Sequence, residues 1–456
     1  MKGCCQDKSN KRIWLSGFAT VIFFAAVFGM HGLLQIPAVH APLKGVFKTY
    51  DVSTDENGGK CVNDSDKAFE RIEAEKMNSW DAEHYKRIKE TLYSTERTEG
   101  WAFFPLFSLL WRATGLDSLG IGLLNCLLFA VGMLIMLRLF EDKLPSWGFL
   151  LVLCVPYLVV FMMPYTEALF FLCMAAGLYG MVKEKYWLYF AGFLLACMTK
   201  ASASLLILVF LFAEIISAAY HRKPLLFLVG FGKRVLPVVL GVLCVMVFQK
   251  LRGAESFHQF FISQKIWGKY LSLPSLPFTD WSSEGRSITN PFLLLYFVPM
   301  VLVLLRAFLG GVCRKAGEPI SAWRYTRLVC LLFLTGNVFT ALLTQHGGLY
   351  SLARYLLATP FFVFLLFDTV KNQRSRLWEA VYILIGLACV VLCRDNFTKA
   401  DCAGTYLVML GSLLAFFHRR IGKGLLCFAL AAGILFNVCW TAYMFNCFLL
   451  DAWIFT

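Results

Sequence analysis

Asn78-Ser79-Trp80-Asp81-Ala82-Glu83-His84-Tyr85-Lys86-Arg87-Ile88 concentrates polar and titratable side chains in a chain made mostly of apolar runs. The residue in it best suited to chemistry is Asp81. A carboxylate in the first turn of a helix faces the positive end of the dipole, which favours its ionised form. An ionised carboxylate at a membrane border can take a proton from a hydroxyl. Asn78 or Ser79 is placed to cap such a helix. Trp80, His84, Ile88 and Leu92 recur every four residues as one apolar stripe. The spacing predicts a short helix lying on the membrane surface. Simple capping of that helix would account for Asp81 equally well. Four more ionisable residues stand beside apolar runs: Glu167, Lys200, His346 and Arg354. Each alone suits a plain role, Glu167 as a cap and Lys200 or Arg354 as side chains reaching for headgroups. Taken together, one carboxylate and several cations suit a lipid-phosphate substrate. Arg holds a phosphate through two parallel hydrogen bonds and Lys as a point charge, while the carboxylate accepts the proton of an attacking hydroxyl.

The elements that must position these groups are membrane helices. Hydrophobic residues make up 59% of the 456, and charged residues 16%. Run after run reaches the roughly 20 apolar residues that cross a bilayer. The expected fold class is an all-α polytopic membrane protein with one integral domain over 1–456. About thirteen spans are expected, near 13–34, 116–137, 146–163, 166–182, 186–199, 202–220, 235–250, 291–309, 327–344, 352–369, 377–393, 403–417 and 424–447. The first is read as a retained helix, since it is longer than a signal-peptide core and Ala38-Val39-His40-Ala41 is a weak cleavage site. The first outer loop, 35–100, holds 13 acidic and 10 basic residues and should carry juxtamembrane helices. A short piece from Trp101 to Trp111, with Pro105 inside it, reads as a half-buried or surface helix. A second large outer loop is expected at 251–290.

Net charge is +14, from 43 basic and 29 acidic residues. The basic residues cluster in short loops, the pattern of membrane orientation and not of nucleic-acid binding. With residues 1–12 in the cytoplasm, Arg222, Lys223, Lys233 and Arg234 fall inside, as do Arg419, Arg420 and Lys423. Asp81, Glu167, Lys200, His346 and Arg354 then all fall on the non-cytoplasmic face. Ionisable groups at membrane depth are costly and mark a site by default. Most of the 16 cysteines lie in apolar runs as small hydrophobes, and Cys4 and Cys5 are candidate lipid attachment points. No ligand cluster asks for a metal, no Gly-rich phosphate loop follows a strand, and no cofactor is expected. There is no internal repeat and no low-complexity segment. Asn63-Asp64-Ser65 and Asn396-Phe397-Thr398 are sequons on the expected outer side.

Several of these motifs also carry a family likeness. Trp80-Asp81-Ala82-Glu83-His84-Tyr85 followed by Ala102-Phe103-Phe104-Pro105-Leu106-Phe107 resembles the GPI mannosyltransferase 2 family, in which WD-x-x-x-Y precedes an FFP segment. Pro164-Tyr165-Thr166-Glu167-Ala168-Leu169-Phe170 resembles its Y-[ST]-E-x-L-F segment. Gln264-Lys265-Ile266-Trp267 is similar to its Q-x-x-W, and Arg354-Tyr355-Leu356 to its R-Y-x-L. The likeness reaches from about residue 78 to 360. It implies a GT-C-type bundle of about 11–13 spans and a dolichyl- or polyprenyl-phosphate sugar donor, with mannose as the sugar. It also implies an inverting single displacement onto a lipid-linked or cell-surface glycan. Asp81 would be the catalytic base, Arg354 a donor-phosphate contact and Glu167 a site-shaping or acceptor-binding carboxylate. Trp80, Glu83, His84, Tyr85, Lys200, Gln264, Trp267 and His346 complete the candidate substrate-binding set. Thr199-Lys200-Ala201-Ser202 departs from the family pattern, which has an Arg and Asn-Gly there, and leaves the acceptor open. The likeness also allows a small membrane partner subunit. The setting would be a bacterial cell membrane or, in a eukaryote, the endoplasmic reticulum. Two rivals remain. A lipid-linked glycan polymerase or ligase shares the large outer loops. A lipid or sugar transporter would show paired halves and charges at the bilayer midplane.

Overall fold

The computed structural model describes residues 2–47, 49–54, 60–65, 67–93, 98–140, 144–145, 147–221, 224–273, 289–313, 320–345, 349, 351–372, 381, 384, 387–388, 403–452 and 454. It opens with helix α1 (Lys2–Leu34). A two-stranded antiparallel hairpin follows, β1 (Thr49–Thr54) with β2 (Lys60–Ser65), in a register that pairs Thr49 with Ser65. This hairpin is the one departure from the all-α expectation among the described residues, and it places Asn63 in β2. The rest is helical: α2 (Asp81–Thr91), α3 (Leu106–Thr114), α4 (Ser118–Leu139), α5 (Glu167–Val182), α6 (Tyr186–Thr199), α7 (Leu206–His221) and α8 (Pro224–Leu251). After them come α9 (Gln259–Ile266), α10 (Thr289–Cys313), α11 (Ala322–Thr344), α12 (Leu352–Leu357), α13 (Pro360–Lys371), α14 (Ala403–Phe417) and α15 (Lys423–Leu449).

Six of the described helical stretches are long and apolar enough to cross a bilayer: Trp14–Leu34, Ser118–Leu139, Ala201–Ala218, Phe227–Leu251, Ala322–Thr344 and Lys423–Leu449. Glu167–Val182, Tyr186–Thr199, Val298–Gly310 and Ala403–Phe417 are shorter apolar helices. This is the composition and length pattern of a multi-pass membrane protein. Local chemistry starts and stops the helices. Asp117 caps α4, its carboxylate accepting from Gly120 N at 2.6 Å. Thr359 caps α13 with Pro360 in the first turn. Helices α5 and α6 pack closely because glycines face each other: a Cβ on Gly192 would lie 2.7 Å from Cys173 O.

Two expected spans are not continuous helices. In the 146–163 stretch only Leu150–Leu153 is α-helical, and a 3-10 turn runs from Leu158 to Phe161. Pro156 lacks the N–H that would continue the helix, and Tyr157 is left-handed at φ 68°. An irregular backbone in lipid would strand its polar groups, so it must be enclosed by protein. It is: every residue from Leu151 to Ala168 is buried. Side-chain amides satisfy its carbonyls. Asn437 on α15 donates to Leu153 O at 2.7 Å and Val155 O at 2.9 Å. Asn125 on α4 donates to Met163 O at 2.6 Å and Tyr165 O at 2.9 Å. The 352–369 stretch is likewise split into α12 and α13. Pro360 disfavours helical backbone in the residue before it, and Thr359 is extended there. The expected 377–393 span lies largely outside the described residues.

The expected cap of α2 also differs. The cap position is Trp80, whose side chain does not cap the helix. Asn78 instead donates to Ala74 O and Glu75 O, and Ser79 Oγ donates to Lys76 O. Nor does the buried side of α2 run along Trp80, His84, Ile88 and Leu92; it is Ala82, Tyr85 and Ile88. Tyr85 is buried because α3 packs against α2, Ser108 Oγ donating to Tyr85 O at 2.9 Å. The Trp101–Trp111 piece is more buried than expected, with Phe104, Phe107, Ser108 and Trp111 all enclosed.

Candidate active site

Two short helices carry the central groups, and both start from a left-handed residue. Trp80 has φ 58° and ψ −126°. With Ala82 N donating to Ser79 O at 3.2 Å, it occupies the first corner of a type II′ turn, where glycine is normal. Ser351, before α12, has φ 61°. Non-glycine residues held this way cost about 1–3 kcal/mol each, and such positions cluster at functional sites. The turn at Trp80 aims Asp81 inward; the one at Ser351 launches the helix that carries Arg354.

The start of α2, the start of α5, the end of α6 and the start of α12 converge on one charge cluster. Arg354 NH1 donates to Asp81 Oδ2 at 2.8 Å and its Nε to Glu167 Oε1 at 2.5 Å. Lys200 Nζ reaches the same Glu167 oxygen at 2.5 Å. The Arg354 and Glu167 side chains are 3% and 2% exposed, whereas Asp81 is 24% exposed. The arginine and glutamate are therefore fixed inside, and Asp81 is the carboxylate a substrate can reach. Buried charges persist only when paired and hydrogen-bonded, which this chain of contacts supplies. Glu167 Oε2 is buried and has no hydrogen-bond partner among the described residues.

Aromatic rings frame the cluster. The Arg354 guanidinium lies 4.6 Å from the centre of the Tyr165 ring. Tyr355 sits between two lysines, Lys200 at 4.9 Å and Lys269 at 5.8 Å from its ring centre. Such cation–ring contacts hold a charge without neutralising it. Beside Asp81, Tyr85 Oη and Thr166 Oγ1 share a hydrogen bond of 3.4 Å, and burial pushes the Tyr85 phenol well above its ordinary pKa.

One turn along α2, His84 stacks on Phe103 at 4.6 Å and meets Trp267 edge-on at 5.1 Å. Burial pulls its pKa below the ordinary 6.5, with Asp81 pulling in the opposite direction. Its Nδ1 is buried with no hydrogen-bond partner among the described residues. Gln264 donates to Ala102 O at 3.3 Å and Trp267 Nε1 to Glu99 O at 3.4 Å. These two therefore tie α9 to the 3-10 turn Thr98–Ala102 that leads into α3.

Of the candidate residues, Asp81, Glu167, Lys200 and Arg354 meet in direct contact. Tyr85, Trp80 and His84 border them, and Gln264 and Trp267 lie behind the His84–Phe103 stack. Glu83 turns to solvent and pairs with Arg87 one turn on, at 2.5 Å. His346 lies outside the described residues. Lys269, Tyr165, Thr166, Phe103 and Tyr355 were not singled out from the sequence. Four of them fall inside or beside the quoted motifs, whereas Lys269 carries no signal beyond its nearness to Trp267. No group of three or more His, Cys, Asp or Glu among the described residues is arranged to hold a metal ion.

No family model matches the chain, and neither a curated protein nor a solved structure does. Fold and composition define a multi-pass membrane protein; the likeness to the GPI mannosyltransferase 2 family rests on its motifs alone.

Proposed function

We propose that the chain is a membrane glycosyltransferase. It moves a hexose, mannose first among those to test, from a dolichyl- or polyprenyl-phosphate donor to a lipid-linked or cell-surface glycan. The observation that carries this reading is the pairing of a reachable carboxylate, Asp81, with a buried arginine anchored on a second carboxylate. The cluster holds one base and several phosphate-binding cations within one contact network.

In the proposed step, Asp81 takes the proton of the acceptor hydroxyl as its oxygen bonds to the sugar's anomeric carbon. The bond from that carbon to the phosphate oxygen breaks, and the electron pair leaves with the polyprenyl phosphate. Attack and departure on opposite sides invert the anomeric centre. The donor phosphodiester carries one negative charge and leaves as a monoester that carries nearly two at neutral pH. Asp81 and Glu167 balance Arg354 and Lys200 in charge, which leaves Lys269, beside Tyr355, as a surplus cation among the described residues. It is the group available to meet the charge that develops on the leaving phosphate. Glu167 positions Arg354 and Lys200, and its free oxygen is suited to accept a sugar hydroxyl.

The test is Asp81→Asn in protein purified into lipid, assayed with labelled polyprenyl-phosphate mannose and candidate acceptors. The amide keeps the volume and removes the base. Removing a general base costs about 10²–10⁴-fold, so turnover is expected to fall at least a hundredfold with membrane insertion intact. Wild-type turnover in that variant removes Asp81 from the mechanism.

A further inference from the structure

Helices α10, α11, α13 and α14, with the end of α12, line a partly open cavity of about 510 Å³ whose lining contains none of the four charge-cluster residues. Its wall is largely apolar, with Met300, Val303, Leu334, Phe362 and Leu365 among the lining side chains. The polar lining gathers at one end: Arg306, Arg327, Asp368, Thr369 and Ser412. Arg306 lies in the last third of α10 and Asp368 near the end of α13, whereas Arg327 lies in the first turns of α11. This end is therefore the one farther from α12 and Arg354.

The charges at that end do not cancel. Asp368 is fully buried and its charge is paired: Oδ2 faces Arg327 Nε at 2.8 Å as an ion pair without a hydrogen bond, and Oδ1 accepts from Arg327, Trp323 and Asn372. Arg306 is exposed within the apolar stretch Val298–Gly310 and makes no hydrogen bond or ion pair with a described residue. A guanidinium in an apolar stretch calls for an anion, and among the described residues no carboxylate besides the paired Asp368 lines this wall. An amphiphilic cavity with one unmatched cation at its polar end fits an amphiphile with an anionic head. We infer that the cavity binds an anionic phospholipid, its phosphate on Arg306 and Arg327 and an acyl chain along the apolar wall. A zwitterionic head is disfavoured, because its ammonium would find no carboxylate besides the paired Asp368 among the described lining residues. Basic pockets between membrane helices are a recurrent form of lipid recognition.

The test uses full-length protein in nanodiscs of phosphatidylcholine, with or without phosphatidylglycerol, and counts retained lipids by native mass spectrometry. Phosphatidylglycerol is expected to be retained over phosphatidylcholine. Arg306→Gln is expected to lower its retention about tenfold or more, as loss of a charge-assisted contact predicts. Ala307→Phe, which fills the apolar wall and leaves the charges alone, is expected to lower it as well. Both variants should melt like the wild type in discs of phosphatidylcholine alone; if Arg306→Gln does not, Ala307→Phe carries the test. Equal retention of the two lipids overturns the inference. So does unchanged retention in both variants, which would mean that Arg306 merely reaches for the interface. Displacement by inorganic phosphate would make this a free-anion site, and displacement by polyprenyl phosphate would assign the cavity to the donor; either result overturns it. The site stands apart from sugar transfer, so Asp81→Asn protein should retain the lipid fully.

Discussion

A lysine at position 354 would carry the charge of the arginine on a single ammonium head, and Arg354 has two carboxylates to hold. Its Nε engages Glu167 while NH1 engages Asp81; an ammonium cannot reproduce that fork. Arg354→Lys is therefore expected to weaken donor use about tenfold or more, the worth of one charge-assisted hydrogen bond, and to lower the melting temperature. Donor affinity at the wild-type level would place the phosphate elsewhere. His84 supplies a pH signature. Its pKa is lowered by burial in the folded state, so as pH falls below about 6.5 the unfolded chain takes up the proton first and folding stability drops. His84→Phe removes that contribution. The melting temperature of the variant should fall less than the wild type's between pH 7.5 and pH 5; parallel curves would show that His84 is not held neutral. The pairing of Asp81 with Arg354 was legible in the sequence only as a shared membrane face. Which oxygen meets which nitrogen depends on two turns in left-handed backbone, and neither Trp80 nor Ser351 advertises that conformation, because glycine is the usual residue there.

Between Leu153 and Thr166 an apolar run does what apolar composition alone does not predict. It reads as one more span, yet it breaks at Pro156 and threads the interior. The residues that make this tolerable, Asn125 and Asn437, lie on other helices. As single amides in apolar runs they look like minor interruptions; their partners are 38 or more positions away and appear only after folding. Asn125→Leu leaves the carbonyl of Tyr165 without this donor, two residues ahead of Glu167. Unfolding free energy is expected to fall about 1–3 kcal/mol, and activity with it, because the segment positions the start of α5. A variant as stable and active as the wild type would show that the carbonyls find other donors. Pro360 acts similarly on the late run, which reads as one span over 352–369 and is split into α12 and α13.

Seen whole, the molecule is a bundle of apolar helices with charge gathered where several helix ends meet. The distribution of basic residues predicts that this end faces away from the cytoplasm. A cysteine at Lys269 and one at Arg419, each in an otherwise unreactive background, should be labelled by an impermeant reagent from opposite sides. Labelling from the same side would reject the assigned topology. Membrane residence was determined by the sequence alone, because long apolar runs have few other stable fates in water or lipid. The approximate places of the six long apolar helices, among the thirteen spans expected, and the short list of ionisable residues beside apolar runs followed from the same local property. Tertiary structure decided the rest: which of those residues touch, that Glu83 turns outward while Lys269 joins, and that one apolar run is broken and buried. Hydrophobicity is a property of each stretch by itself. A salt bridge or a satisfied carbonyl belongs to two distant stretches at once, and the chain reveals it only when packing brings them together.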